Sequence, residues 1–126
     1  MDIGSRHWAI AEGYIPAPGH DDDDPRFESH EAACLLNVND VDAHVEITLY
    51  FGDRDPVGPY RVTVPARRTL HLRFNDLEQP EKVPRETAYA SVFIADVAIV
   101  VQHTRLDSRR TALALLSTIA FCQSDG

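Results

Sequence analysis

The sequence predicts an all-β domain, an antiparallel β-sandwich of about eight short strands with at most a turn or two of helix. Three observations carry this. Apolar and polar residues alternate with a period of two, most clearly over Ala43 to Phe51. Clusters of Gly, Pro, Asn and Asp punctuate the chain at spacings of roughly 8 to 15 residues. No long stretch carries the apolar period of a helix, and no internal repeat is present. At 126 residues and 44% hydrophobic content the chain fits one domain, residues 1–126, around one core.

Taken in order, Arg6 to Ala11 reads as a first strand with Trp8 and Ile10 on one face, closed by Gly13, Pro16 and Pro18. Residues 17–26 follow as an exposed acidic loop, because Asp21 to Asp24 beside Pro and Gly cannot bury enough apolar surface to order itself. Calcium loops space their carboxylates around a glycine, so this run is expected to be solvated and no metal site is assigned. A second strand runs from Glu28 to Leu36 and ends at the turn-forming Asn37 to Asp42. In the third, Ala43, Val45, Ile47, Leu49 and Phe51 alternate with His44, Glu46, Thr48 and Tyr50, as a half-buried strand requires. The turn chemistry of Gly52 to Pro59 leads to a fourth strand, Tyr60 to Val64, broken by Pro65-Ala66. On a fifth, Arg68, Leu70, Leu72 and Phe74 alternate with Arg67, Thr69, His71 and Arg73, before a proline-containing loop from Asn75 to Thr87. Tyr89 to Ala95 is a sixth strand, and Asp96 a short turn into the next. The C-terminal segment mixes helix and strand formers; the reading adopted is a turn of helix near Ser108 to Ala112, capped by Asp107 or Ser108, then a strand from about Leu115 to Cys122.

Composition narrows the function classes. Twelve basic against 20 acidic residues give a net charge of −8, which repels nucleic-acid phosphate and anionic membranes; nucleic acid is a disfavoured partner. No apolar run approaches the ~20 residues of a membrane span, and the N-terminus lacks the pattern of a signal peptide, so direct membrane insertion is not expected. Cys34 and Cys122 each sit in an apolar run and are expected as small buried hydrophobes, which fits a reducing, cytoplasmic setting.

The chain is organised around Ile99 to Arg109. On a strand, Ile99, Val101, His103, Arg105 and Asp107 share a face that starts apolar and ends charged. Such a face must leave a dry core for a rim, a pocket or a subunit interface, since unpaired charge is costly to bury. Ser29, His30 and Glu31, with His103 and Asp107, include the residue types of an acid/base site. A strand histidine beside a carboxylate is more often a structural hydrogen-bond partner. The six histidines show no metal-ligand spacing, so neither an enzyme nor a cofactor is expected.

Binding is the better-supported chemistry. Trp8, Glu12, Tyr14, His103, Arg105 and Asp107 supply the planar polar and aromatic groups that a sugar or other small ligand needs. For Trp8 the competing role is core packing, and for Arg105 and Asp107 an ion pair within the sheet or between subunits. Arg67, Arg68, His71 and Arg73 form the one positive stripe in an acidic chain, with Arg61 on the neighbouring strand. A nucleic-acid surface is the sharper reading of such a stripe, but cross-strand pairing with Glu46 and Asp76 is favoured, and repeated around a ring it would suit an acidic partner protein.

Four segments carry a resemblance: WAIAEGYIP at 8–16, DAHVEITLYF at 42–51, VGPYRVTVPARRTLHLRFNDL at 57–77 and IVVQHTRLDSRRTALALLSTIAF at 99–121. Together they closely resemble the soluble sensory rhodopsin transducer family. The resemblance implies a small all-β sandwich that assembles as a cyclic homotetramer, and a signalling adaptor that binds the cytoplasmic side of a microbial sensory rhodopsin. It also implies a likeness to carbohydrate-binding sandwiches, so a carbohydrate or other small ligand is the alternative partner. No catalytic residues come with it. The aspartate run departs from the family pattern.

Overall fold

Residue patterning alone accounts for most of the strands in the computed structural model, which describes residues 3–18, 28–108 and 114–123. The third strand, β3 (Ala43–Phe51), has the expected bounds, with Ala43, Val45, Ile47 and Leu49 buried. It follows β1 (Ser5–Gly13) and β2 (His30–Asn37), and precedes β4 (Val57–Val64) and β5 (Arg68–Arg73). The register places Ala43 opposite Val64 and Ile47 opposite Tyr60, so the alternation of β3 and β4 coincides on one inner face. Phe74 does not extend β5 but opens a single 3-10 turn, Phe74–Asp76.

The largest departure from the expected layout is β6, which runs without interruption from Tyr89 to Asp107, 19 residues, where two strands and a turn at Asp96 were expected. Its first half pairs with β1 and β3; its second half pairs with β2 and with β7 (Ala114–Ile119). A single strand thus belongs to both layers of the sandwich, the arrangement by which strands turn corners between packed sheets. The irregularity expected at Asp96 is real but takes the form of a bulge. Ser5 pairs with Ile99 and His7 with Ile94, so two steps along β1 span five along β6.

Side chains satisfy the backbone groups that this bulge frees. The Trp8 indole Nε1 donates to the Ser5 carbonyl at 2.8 Å and the Ile99 carbonyl at 3.0 Å, and Asn39 Nδ2 donates to the Ala98 carbonyl at 2.7 Å. Asp96 itself reaches β3, accepting from the His44 backbone N–H at 2.8 Å and bonding His44 Nδ1 at 2.9 Å. That backbone hydrogen bond, with the imidazole behind it, lowers the Asp96 carboxyl from the ordinary 3.8. The aspartate that reads as a turn in sequence is a clamp between strands.

The C-terminal strand expected over 115–122 is two. After β7 the chain crosses at the buried Ala120, whose N–H donates to the Val101 carbonyl at 3.3 Å, and joins the other layer as β8 (Phe121–Gln123) beside β1. Cys122, expected to be buried, is exposed there, because among the described residues β8 is an edge strand that pairs with β1 alone; Cys34 is half-buried. Of the helical turn expected near Ser108 to Ala112, residues 109–112 lie outside the described residues, and Ser108 is not helical. Most of the acidic loop at 17–26 lies outside them as well. One core joins the layers, with Trp8, Ile10, Val45, Ile47 and Phe93 packed in the same cluster as Ala33, Leu35, Phe74 and Val101.

Gly4 permits the close approach at the bulge. It sits at φ 101°, and a Cβ there would lie 1.9 Å from the Ile99 carbonyl oxygen. Gly4→Ala therefore combines a left-handed conformation with a backbone clash, and should lower unfolding free energy by about 1 to 3 kcal/mol in denaturant titration. An unchanged midpoint would show that the bulge does not need this contact.

Candidate functional site

On β2, Glu31 is in phase with Ala33, Leu35 and Asn37, and all four are fully buried. A carboxylate on that face requires compensation, and the antiparallel register supplies it: Glu31 lies opposite Arg105, and Ala33 opposite His103. The Arg105 guanidinium donates to Glu31 Oε2 through Nε at 3.1 Å and Nη2 at 2.9 Å. The same oxygen accepts the Tyr14 backbone N–H at 2.5 Å. Glu31 Oε1 faces His103 Nε2 within hydrogen-bond distance. A carboxylate has no proton to give, so Nε2 is the donor in this pair.

The surroundings extend the cluster. Asn75, in the 3-10 turn, accepts the Glu31 backbone N–H at 3.2 Å and donates to the Ser29 carbonyl at 3.2 Å, fixing the start of β2. The Tyr14 ring lies under the Arg105 guanidinium, 5.9 Å from Cζ to centroid, in reach of a cation–π contact. Tyr89 is buried close by, and its hydroxyl finds no hydrogen-bond partner among the described residues. Burial first, and the Glu31 carboxylate second, raise its pKa above the ordinary tyrosine value, with Arg105 acting in the opposite sense.

His103 and Arg105 also face outward, onto a cavity of about 250 Å³ bounded by β1, β6, β7 and β8. Glu12 and Thr118 add polar groups to its wall, and Leu116, Ile119 and Phe121 form an apolar side. Arg105 keeps 16% of its side chain exposed although its inner edge is fully engaged.

The residues singled out in sequence fall into four groups. Glu12, Tyr14, His103 and Arg105 converge on the Glu31 cluster and its cavity. Asp107 is half-buried farther along β6, opposite Ala114. Trp8 takes the core-packing role weighed for it, 5% exposed with its indole N–H bonded to carbonyls, and it is not among the residues lining the cavity. Arg67, Arg68 and His71 lie elsewhere, at the turn before β5 and along it, with β2 standing between β5 and β6. All three are exposed. Arg61 pairs with Glu46 at 3.5 Å on the other layer, so it does not extend their stripe.

Glu31 is the functional-site residue that sequence reasoning left without its role. It entered only as one member of a conceivable acid/base set. Its phase with Ala33 and Leu35 is visible in the sequence, but its partner is set by the register of β2 against β6.

Fold and site together define a class: an all-β sandwich with a shared central strand, a buried carboxylate–arginine–histidine cluster and a small cavity beside it. The chain belongs to the Anabaena sensory rhodopsin transducer family, which it matches over residues 3–122. The solved structure of Anabaena sensory rhodopsin transducer is 56% identical, and the match covers 82% of this chain and 99% of that chain with a TM-score of 0.73. A crystal structure of Thermotoga maritima 1070 is 31% identical, covering 95% of this chain and 96% of that chain with a TM-score of 0.84. No match is found among curated proteins.

Because Glu31 is fully buried, removing either partner of the Glu31–Arg105 pair strands a charge. Glu31→Ala and Arg105→Ala should each cost about 3 to 5 kcal/mol, far above the ~0 to 1 of an exposed pair. The double variant should cost much less than the sum of the two, since neither charge is then left alone. Denaturant unfolding of the three variants measures this; additive losses would mean the pair is not coupled.

Proposed function

We propose that this chain is a cytoplasmic signalling adaptor that binds the cytoplasmic face of a membrane sensory rhodopsin and relays its signal as a cyclic homotetramer. The observation that carries the reading is 56% identity across 99% of a protein named as a sensory rhodopsin transducer. A transducer works by association rather than by turnover, and the reading assigns the chain no catalytic role. No described helix is long and apolar enough to cross a membrane, and the net charge of −8 opposes adsorption to anionic lipid, so contact with the membrane runs through a receptor protein.

Self-association has support in the C-terminal strands. Leu115 and Ile119, on one face of β7, and Phe121 on β8 are 69%, 63% and 68% exposed, large apolar side chains of the kind found at contact surfaces. Closing a ring over such surfaces covers apolar side chains and strand edges together. The exposed Arg67, Arg68 and His71 on the opposite edge give this acidic chain a positive surface suited to an acidic segment of the receptor.

Sedimentation velocity should give a species of four times the 14.1 kDa chain. Replacing Leu115 and Phe121 by Asp should shift it toward the monomer. Titration of the chain onto a sensory rhodopsin in lipid nanodiscs should give saturable binding that weakens with added salt and with Arg67→Ala/Arg68→Ala. A concentration-independent monomer with no affinity for the rhodopsin would contradict the proposal.

A further inference from the structure

The cavity beside the Glu31 cluster lies where the two layers part. Here β1 pairs onward with β8 while β7 stays with the far half of β6, and the crossing at Ala120 closes the gap. Its volume of about 250 Å³ falls below the range of drug-sized pockets, about 300 to 1,000 Å³, and suits a ligand of few atoms.

The wall is divided by chemistry in a way that restricts the ligand. Glu31 engages Nε and one N–H of Nη2 of Arg105, which leaves the two N–H groups of Nη1 and the second of Nη2 as donors away from Glu31. The Arg105 charge is balanced by Glu31, so the remaining formal charge on the wall is the exposed carboxylate of Glu12. A purely anionic ligand would meet Arg105 at the expense of repulsion from Glu12. A simple cation would suit Glu12 but leave the Nη1 donors unmatched. A molecule with an ammonium and an oxygen acceptor satisfies both ends. Thr118, directly opposite His103 in the ladder, adds a hydroxyl, and Leu116, Ile119 and Phe121 offer an apolar surface on the same wall.

We propose that this cavity binds a small apolar α-amino acid, with its carboxylate on the outer edge of Arg105, its ammonium on Glu12 and its side chain against Leu116, Ile119 and Phe121. The site does not require a rhodopsin partner, but it shares Ile119 and Phe121 with the surface proposed for self-association, so a bound ligand would sit at the edge of that contact.

The test titrates the full-length chain with L-leucine, with isocaproate, which lacks the amine, and with isoamylamine, which lacks the carboxylate. Isothermal calorimetry reads affinity, and NMR amide shifts read location. Leucine should bind saturably, with shifts centred on Thr118, Ile119 and Ala120, and each one-ended analogue should bind at least about tenfold more weakly, as expected for loss of one charged hydrogen bond. Glu12→Gln lies outside the buried cluster, so it should keep the melting temperature, weaken leucine by a similar factor and leave isocaproate no weaker. Absence of saturable leucine binding to the folded chain would overturn the proposal. So would isocaproate binding as tightly as leucine, shifts centred elsewhere, or a Glu12→Gln variant with unchanged leucine affinity.

Discussion

The structure depends on one buried carboxylate. Glu31 is fully enclosed, and a carboxylate taken out of water is costly unless its lone pairs are engaged. Four donors meet it: two from Arg105, one from His103 and the Tyr14 backbone N–H. They come from β6 and from the chain just past β1, whereas Glu31 belongs to β2. The charge therefore ties three parts of the sandwich at the point where a purely apolar core would stop. Its two cationic or polar partners turn their other sides to the cavity, so the requirement that holds the fold also positions the candidate site.

A second constraint acts through β6. A strand that serves both layers must change direction, and the extra residues opposite Ser5 to His7 are where it does so. Bending a strand frees carbonyl groups that water cannot reach, and each needs a donor. Trp8 and Asn39 provide them, which explains why the one tryptophan faces the core and is not available to a ligand. The same divergence of layers that requires the bend leaves the space between β1 and β7.

Much of this was legible in the residues. The alternation of Ala43 to Phe51 yields β3 with its bounds, and the switch from Ile99 and Val101 to His103 and Arg105 locates the end of the dry core. Three features were not. Asp96 looks like a turn because its side chain bonds backbone, yet the backbone it bonds belongs to His44 on β3, a contact no local pattern contains. Nothing in ALLSTIAF marks Ala120 as a crossing, because the break is imposed by which strand lies alongside, first β6 and then β1. Glu31 stands at the start of an apolar run, where a charge ordinarily projects into water. Only the register with β6 shows that it faces Arg105.

Hydrogen exchange at the Tyr14 amide tests the role of Glu31 most directly. Tyr14 lies beyond the end of β1, so no ladder among the described strands protects its N–H, and its partner is the buried carboxylate. If Glu31 ties the end of β1 to β2 and β6, this amide exchanges as slowly as those of the central strands under native conditions. Exchange at the rate of an open loop, in a chain whose β6 amides are protected, would contradict the account.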